Sequence, residues 1–147
     1  MSVTAAQSVR AIFGAINSGE LDVLDDLVTA DFVDHGSPFP LPPGPHGYRQ
    51  ILGFVHGVLR IRYTIDDLFT GQDRVVVRAT AHGTGVDAVH GPGADGRPYV
   101  MTTVHIYRTE GDLLAEHWGV RDEFSALIQL GTHAAPDAAA LVAATHA

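Results

Sequence analysis

Two histidines twelve residues apart, His105 and His117, stand in segments that alternate as strands do, joined by the turn Thr109-Glu110-Gly111-Asp112. Alternation puts Met101, Thr103, His105 and Tyr107 on one face of the first strand. It puts Leu113, Ala115, His117, Gly119 and Arg121 on one face of the second. The hairpin makes the two imidazoles near neighbours on one mixed, mostly apolar surface, the composition of a pocket wall. An imidazole titrating near neutrality can take or give a proton, so general acid–base chemistry is the first candidate. Asp34-His35, just before a proline-rich segment, is a second candidate, either a pocket-mouth dyad or a strand end. Each histidine also has a structural reading, as a hydrogen-bonded strand residue.

Other chemistries lack their residues. The chain has no cysteine, so disulfides, thiolate metal sites and thiol nucleophiles are out. All nine basic residues are arginine, which removes Schiff-base lysines and the P-loop lysine. The nine histidines show neither His-x-His nor His-x-x-x-His spacing; a metal site from His35, His105 and His117 is conceivable, but none is expected. Gly83-Thr84-Gly85-Val86-Asp87-Ala88 matches the dinucleotide fingerprint, yet no helix is expected to follow it, so it is rejected. Ser37 and Ser125 lie outside any Gly-x-Ser-x-Gly elbow. A net charge of −8 with scattered arginines argues against nucleic acid. No run approaches about 18 apolar residues, and the first seven residues do not read as a signal peptide. A cytoplasmic protein with no membrane association is expected.

The elements that must position these residues follow from periodicity. The 147 residues, 46% hydrophobic, suit one domain over 1–131 with an Ala-rich tail over 132–147, a mobile segment or loosely docked helix. Val9, Ile12, Phe13 and Ile16 make a helical stripe ending at Gly19, and a short helix follows from Leu21 to Val28. Phe32 to His35 reads as a short strand. Gly36 to Pro45 holds five prolines and can be neither helix nor central strand, so it reads as a rim or lid carrying Phe39. A third helix is expected from about His46 to Leu59, with Tyr48, Ile51, Leu52 and Val55 buried. Strand spacing begins at Ile61 and recurs over 74–82, 99–108 and 113–120, and residues 83–89 read as a continuing strand. Asp122 is placed to cap a closing helix that ends at Gly131. The expectation is an α+β domain: a curved antiparallel sheet wrapped by helices around a cone-shaped cavity.

Phe32-Val33-Asp34-His35, Pro42-Pro43-Gly44, Gly71 to Val76, Gly96-Arg97, His105 to Arg108, Glu116 to Asp122 and Gln129-Leu130-Gly131 together resemble the SnoaL-like polyketide cyclases of the nuclear transport factor 2-like superfamily. The resemblance implies a cone-shaped α+β barrel, often dimeric through the outer sheet face, with an apolar pocket and no metal or cofactor. It implies an intramolecular aldol closure in which a last-strand carboxylate moves the proton and neighbouring histidines orient the substrate. Those histidines match His105 and His117; the carboxylate position falls on Gly119, which has no side chain to carry a proton. Catalysis is therefore expected from His117, His105 and Asp34, or from confinement of the substrate alone. Substrate contacts are expected from His35, Phe39, Tyr48, Phe54, Met101, Thr103, Gly119 and Arg121. The expected activity is that of a cyclase or isomerase for a polyketide-like apolar small molecule. A non-catalytic binder and an epoxide hydrolase using Asp34 and Arg121 are the alternatives. Val100, Thr102, Val104, Ile106, Trp118 and Val120 form a candidate outer face for a homodimer.

Overall fold

A computed structural model describes residues 4–146 of the chain. Residues 1–3 of the stretch read for a signal peptide, and the last residue of the tail, lie outside the described part. Helix α1 (Ala5–Ser18) starts where the Thr4 side chain accepts from the Gln7 backbone N–H and the Gln7 side chain reaches back, and it ends at Gly19. Its stripe, Val9, Ile12, Phe13 and Ile16, is buried as the spacing requires. A 3₁₀ turn (Leu21–Val23) and the one-turn helix α2 (Leu24–Leu27) lead without a break into strand β1 (Val28–Asp34). The strand therefore begins four residues before Phe32, and the expected short helix stops before Val28. Helix α3 (Gly44–Gly57) opens after Pro43 and buries Tyr48, Ile51, Leu52 and Val55.

The sheet then builds from β2 (Arg62–Gly71), β3 (Arg74–Thr84), β4 (Pro98–Glu110) and β5 (Leu113–Arg121). Its order is β1-β5-β4-β3-β2, with every neighbour antiparallel except β1, which runs parallel to β5. It is thus an open, curved five-stranded sheet with β1 and β2 at its edges, not a wholly antiparallel one. Period-2 burial holds along β3 and β4. Val75, Val77, Ala79 and Ala81 of β3 and Tyr99, Met101, Thr103, His105 and Tyr107 of β4 are buried, and their neighbours in sequence are mostly exposed. Helices α1 and α3 pack on this face, and residues of α2, β1, β2 and β5 add to the core. Each aliphatic side chain taken fully out of water there contributes about 1.5–3 kcal/mol relative to exposure.

Of residues 83–89, Gly83 and Thr84 continue β3 and the rest do not. After Thr84 the chain forms a single helical turn, α4 (Asp87–His90). A helical turn does follow the fingerprint-like glycines, but they serve packing: a Cβ on Gly83 would strike the Tyr99 ring at 2.4 Å, and one on Gly85 the Ala94 carbonyl oxygen at 2.1 Å. Helix α5 (Glu123–Leu130) is capped by Asp122, whose side chain accepts from Ser125 N–H. The Ala-rich tail forms α6 (Ala138–Thr145), with every residue exposed. Among the described residues no helix is long and apolar enough to cross a membrane.

Candidate active site

The β1–β5 register sets Asp34 beside His117. Both side chains are about 95% buried, and Asp34 Oδ1 lies 2.6 Å from His117 Nδ1. The same oxygen accepts from Gly36 N–H at 2.8 Å. The far nitrogen of His117, Nε2, is 2.9 Å from His105 Nδ1, with the two rings stacked at 5.2 Å. His105 Nε2 lies 3.0 Å from Thr103 Oγ1, and Thr103 donates to the Ala79 carbonyl at 2.9 Å. Carboxylate, two imidazoles, a hydroxyl and a backbone carbonyl thus form one continuous hydrogen-bonded chain across four strands. The chain is packed in aromatic rings. Phe13 and Tyr63 present edges to His105, and Tyr107 and Tyr48 lie against His117 with their hydroxyls bonded to each other. Burial first, then the neighbouring His117 and Arg121, hold the His105 imidazole well below its ordinary value, so it is neutral. Burial pushes the Tyr48 phenol well above its ordinary value, with Tyr107 and Asp34 adding to the effect.

Two cavities flank this chain. The first, about 180 Å³, is walled by Ile51, Phe54, Val55, Ile61, Tyr99 and Met101 with Phe39 and Pro38 at its rim. Arg121, His90 and Glu123 bring polarity to it. Burial raises the Tyr99 phenol to about 12, so it stands there as a neutral hydroxyl. The second, about 290 Å³, lies under the proline-rich segment and is lined by Asp34, Phe32, Tyr48, Phe39 and Leu41 among others. Phe39 belongs to both, and its ring stands edge-on to Phe54 at 5.8 Å.

The model of the SnoaL-like polyketide cyclase family matches residues 5–130. The chain belongs to that family. No curated protein matches the sequence. Similar solved structures include IdmH from Streptomyces antibioticus, a candidate polyketide cyclase, at 28% identity over 88% of this chain and 99% of that one, with a TM-score of 0.74. TsrD from Streptomyces laurentii is 28% identical over 86% and 94%, with a TM-score of 0.73. An epoxide hydrolase of M. tuberculosis related to limonene-epoxide hydrolases aligns over 88% and 86% with a TM-score of 0.68, but at 14% identity this shows the fold alone.

Within this SnoaL-like frame the expected site residues fall in different places. Asp34, His105, His117 and Thr103 join in the buried chain, so Thr103 contacts His105 where a substrate contact was expected. Phe39, Phe54, Met101 and Arg121 line the first cavity; Tyr48 lines the second. His105 and His117 were expected on the pocket wall, yet neither is part of the lining of either cavity. Gly119 faces the histidines: a Cβ there would stand 3.1 Å from His117 Cε1. His35 departs from expectation. It lies on the opposite sheet face, bonded to Glu116 at 2.7 Å and stacked on Trp118 at 5.1 Å. Adjacent strand residues point to opposite faces, so an inward Asp34 requires an outward His35. His90 and Glu123 were not anticipated. The His90 ring is fixed by Val86 N–H donating to its Nδ1 at 3.0 Å, a bond that depends on the turn α4. The paired Asp34 and Arg121 of an epoxide hydrolase are not formed, since Asp34 bonds His117 and Arg121 donates to the Gly36 carbonyl at 3.3 Å.

Proposed function

We propose that the protein is a cofactor-independent cyclase or isomerase that holds a polyketide-like apolar substrate in the cone and moves protons through the Asp34–His117–His105 chain. The observation that carries this reading is the carboxylate. Position 119 holds glycine, and Asp34 supplies an acid to His117 from another strand. The apolar cavity favours a hydrophobic carbon skeleton and excludes water, which strengthens each polar contact inside it. Arg121 on its wall offers guanidinium donors to a substrate carbonyl. In the proposed step the substrate reaches past Phe39 from the first cavity to Asp34 on the wall of the second, the Arg121 and Asp34 side chains being bonded to the same residue, Gly36. Asp34 takes a proton from the carbon next to the carbonyl, Arg121 stabilises the enolate oxygen, and the new carbon–carbon bond forms as the chain returns a proton to the oxygen of the attacked carbonyl.

A second reading rests on the two histidines lying outside the cavity linings: the pocket confines the substrate and closure needs no proton transfer. Single-turnover rates and ligand affinities of wild type, His105→Ala and His117→Ala, with folding checked by thermal melt, separate the readings. Acid–base catalysis predicts a loss of roughly 10²–10⁴-fold in rate for His117→Ala, a smaller loss for His105→Ala, and little change in affinity. Near wild-type rates in both folded variants would leave confinement as the mechanism. No product from the wild-type protein would make it a binder.

A further inference from the structure

Thr103 ends the buried chain in a way that decides where every proton in it lies. A threonine hydroxyl has one hydrogen, and here it goes to the Ala79 carbonyl oxygen, which can only accept. Thr103 Oγ1 must therefore accept from His105 Nε2, so that nitrogen carries hydrogen. His105 is neutral, so its Nδ1 is bare. That bare nitrogen faces His117 Nε2 at 2.9 Å, and two lone pairs at that distance would repel, so His117 Nε2 donates. The contact of His117 Nδ1 with Asp34 Oδ1, at 2.6 Å, is likewise too short for two lone pairs. It needs a hydrogen of its own. Oδ1 already accepts from Gly36 N–H, as a carboxylate oxygen does, so the hydrogen belongs to Nδ1.

We infer that Thr103 is a positioning residue that sets the direction of the whole chain, so that the resting protein holds His117 as an imidazolium paired with the Asp34 carboxylate. The groups around the ring agree. Asp34 of β1 supplies the negative charge. Tyr48 of α3 and Tyr107 of β4 are phenols that burial keeps neutral, and His105 of β4 is an uncharged acceptor. Arg121 of β5 carries positive charge, which adds to the effect of burial in keeping the next proton off His105. The site thus starts its cycle loaded with a proton to give. That it gives this proton to a substrate rests on the proposed function; where the proton sits does not.

A single substitution should reverse the chain. In Thr103→Val the hydroxyl acceptor is gone, and His105 gains by carrying its hydrogen on Nδ1 and donating it to His117. His117 Nε2 must then be bare, and the imidazolium is lost. Thr103→Ser keeps the hydroxyl. The experiment is long-range proton–nitrogen correlation NMR of the histidine rings in uniformly ¹⁵N-labelled protein near neutral pH, without ligand. Expected for wild type and Thr103→Ser is a His117 ring with both nitrogens protonated and a His105 ring with only Nε2 protonated. Expected for Thr103→Val is one bare nitrogen on His117 and a single-turnover rate lower by roughly 10²-fold. A bare Nδ1 on His117 in the wild-type spectrum overturns the inference, whether or not Thr103→Val folds. If Thr103→Val keeps a fully protonated His117, Thr103 does not set the direction. Spectra as expected with unchanged turnover in Thr103→Val would leave the proton where it is placed and remove acid–base catalysis from the proposed function.

Discussion

At position 119 a side chain and a hydrogen bond compete for the same space. A Cβ there would lie 3.1 Å from His117 Cε1, 3.4 Å from its Nε2 and 3.6 Å from His105 Nδ1. The room left by glycine is what lets one imidazole reach the other. Gly119→Ala is therefore expected to push the His117 ring and lengthen its bond to His105. The cost should be about 1–3 kcal/mol, as for other small-to-large changes in packed sites, read as a lower midpoint in urea unfolding. An unchanged midpoint would show that the ring has room to spare. The family resemblance puts an acid where this sequence has Gly119, two residues after His117, and Asp34 is among the residues expected to act in its place. What the sequence does not show is their contact, because Asp34 is separated from His117 by 83 residues and meets it only through the register of β1 on β5. For the same reason the sequence does not say which of Asp34 and His35 faces inward.

At the scale of elements, the segment between β1 and α3 matters most to the site. Its prolines lack the N–H groups of a sheet ladder, and it folds instead around Ser37, whose hydroxyl bonds the backbone of Phe39. That fold holds the Phe39 ring between the two cavities, half exposed. Phe39→Ala is expected to join the cavities and weaken binding of an apolar ligand by about tenfold, the worth of part of one aromatic surface. Titration of the variant with a hydrophobic fluorescent probe checks this; equal affinity would make the segment a connector only. Helices α1, α3 and α5 and strands β3 to β5 were legible because their apolar residues repeat with clean periods. The start of β1 was not, since Leu27-Val28 runs from helix to strand with no turn residue to mark the change. Nor was α4, because four residues are too few to show a helical period.

Over the whole molecule, the outer sheet face exposes apolar side chains that have no role in the site. Val100, Val104 and Val120 are 44%, 37% and 72% exposed there. Trp118 lies among them under His35 and Arg74. Ion pairs of both signs border the valines, Arg108 with Glu116 and Arg78 with Asp67. A face that mixes apolar surface with both charges can complement a second copy of itself. We predict a homodimer through it, with Val120→Arg giving monomers by light scattering at micromolar concentration; a monomeric wild type would end the idea. The position of β1 has another consequence. It is an edge strand, held in the sheet by β5 alone, and parallel pairing is slightly the weaker kind. Edges fray at free energies below that of global unfolding. Each fraying of β1 carries Asp34 away from His117, while the hairpins of β2 through β5 can stay zipped. The fraction of time the acid–imidazole pair is assembled is thus governed by the opening equilibrium of one strand. On warming, the site is expected to disassemble before the molecule melts, with the amides of β1 exchanging hydrogen ahead of those of β3 and β4.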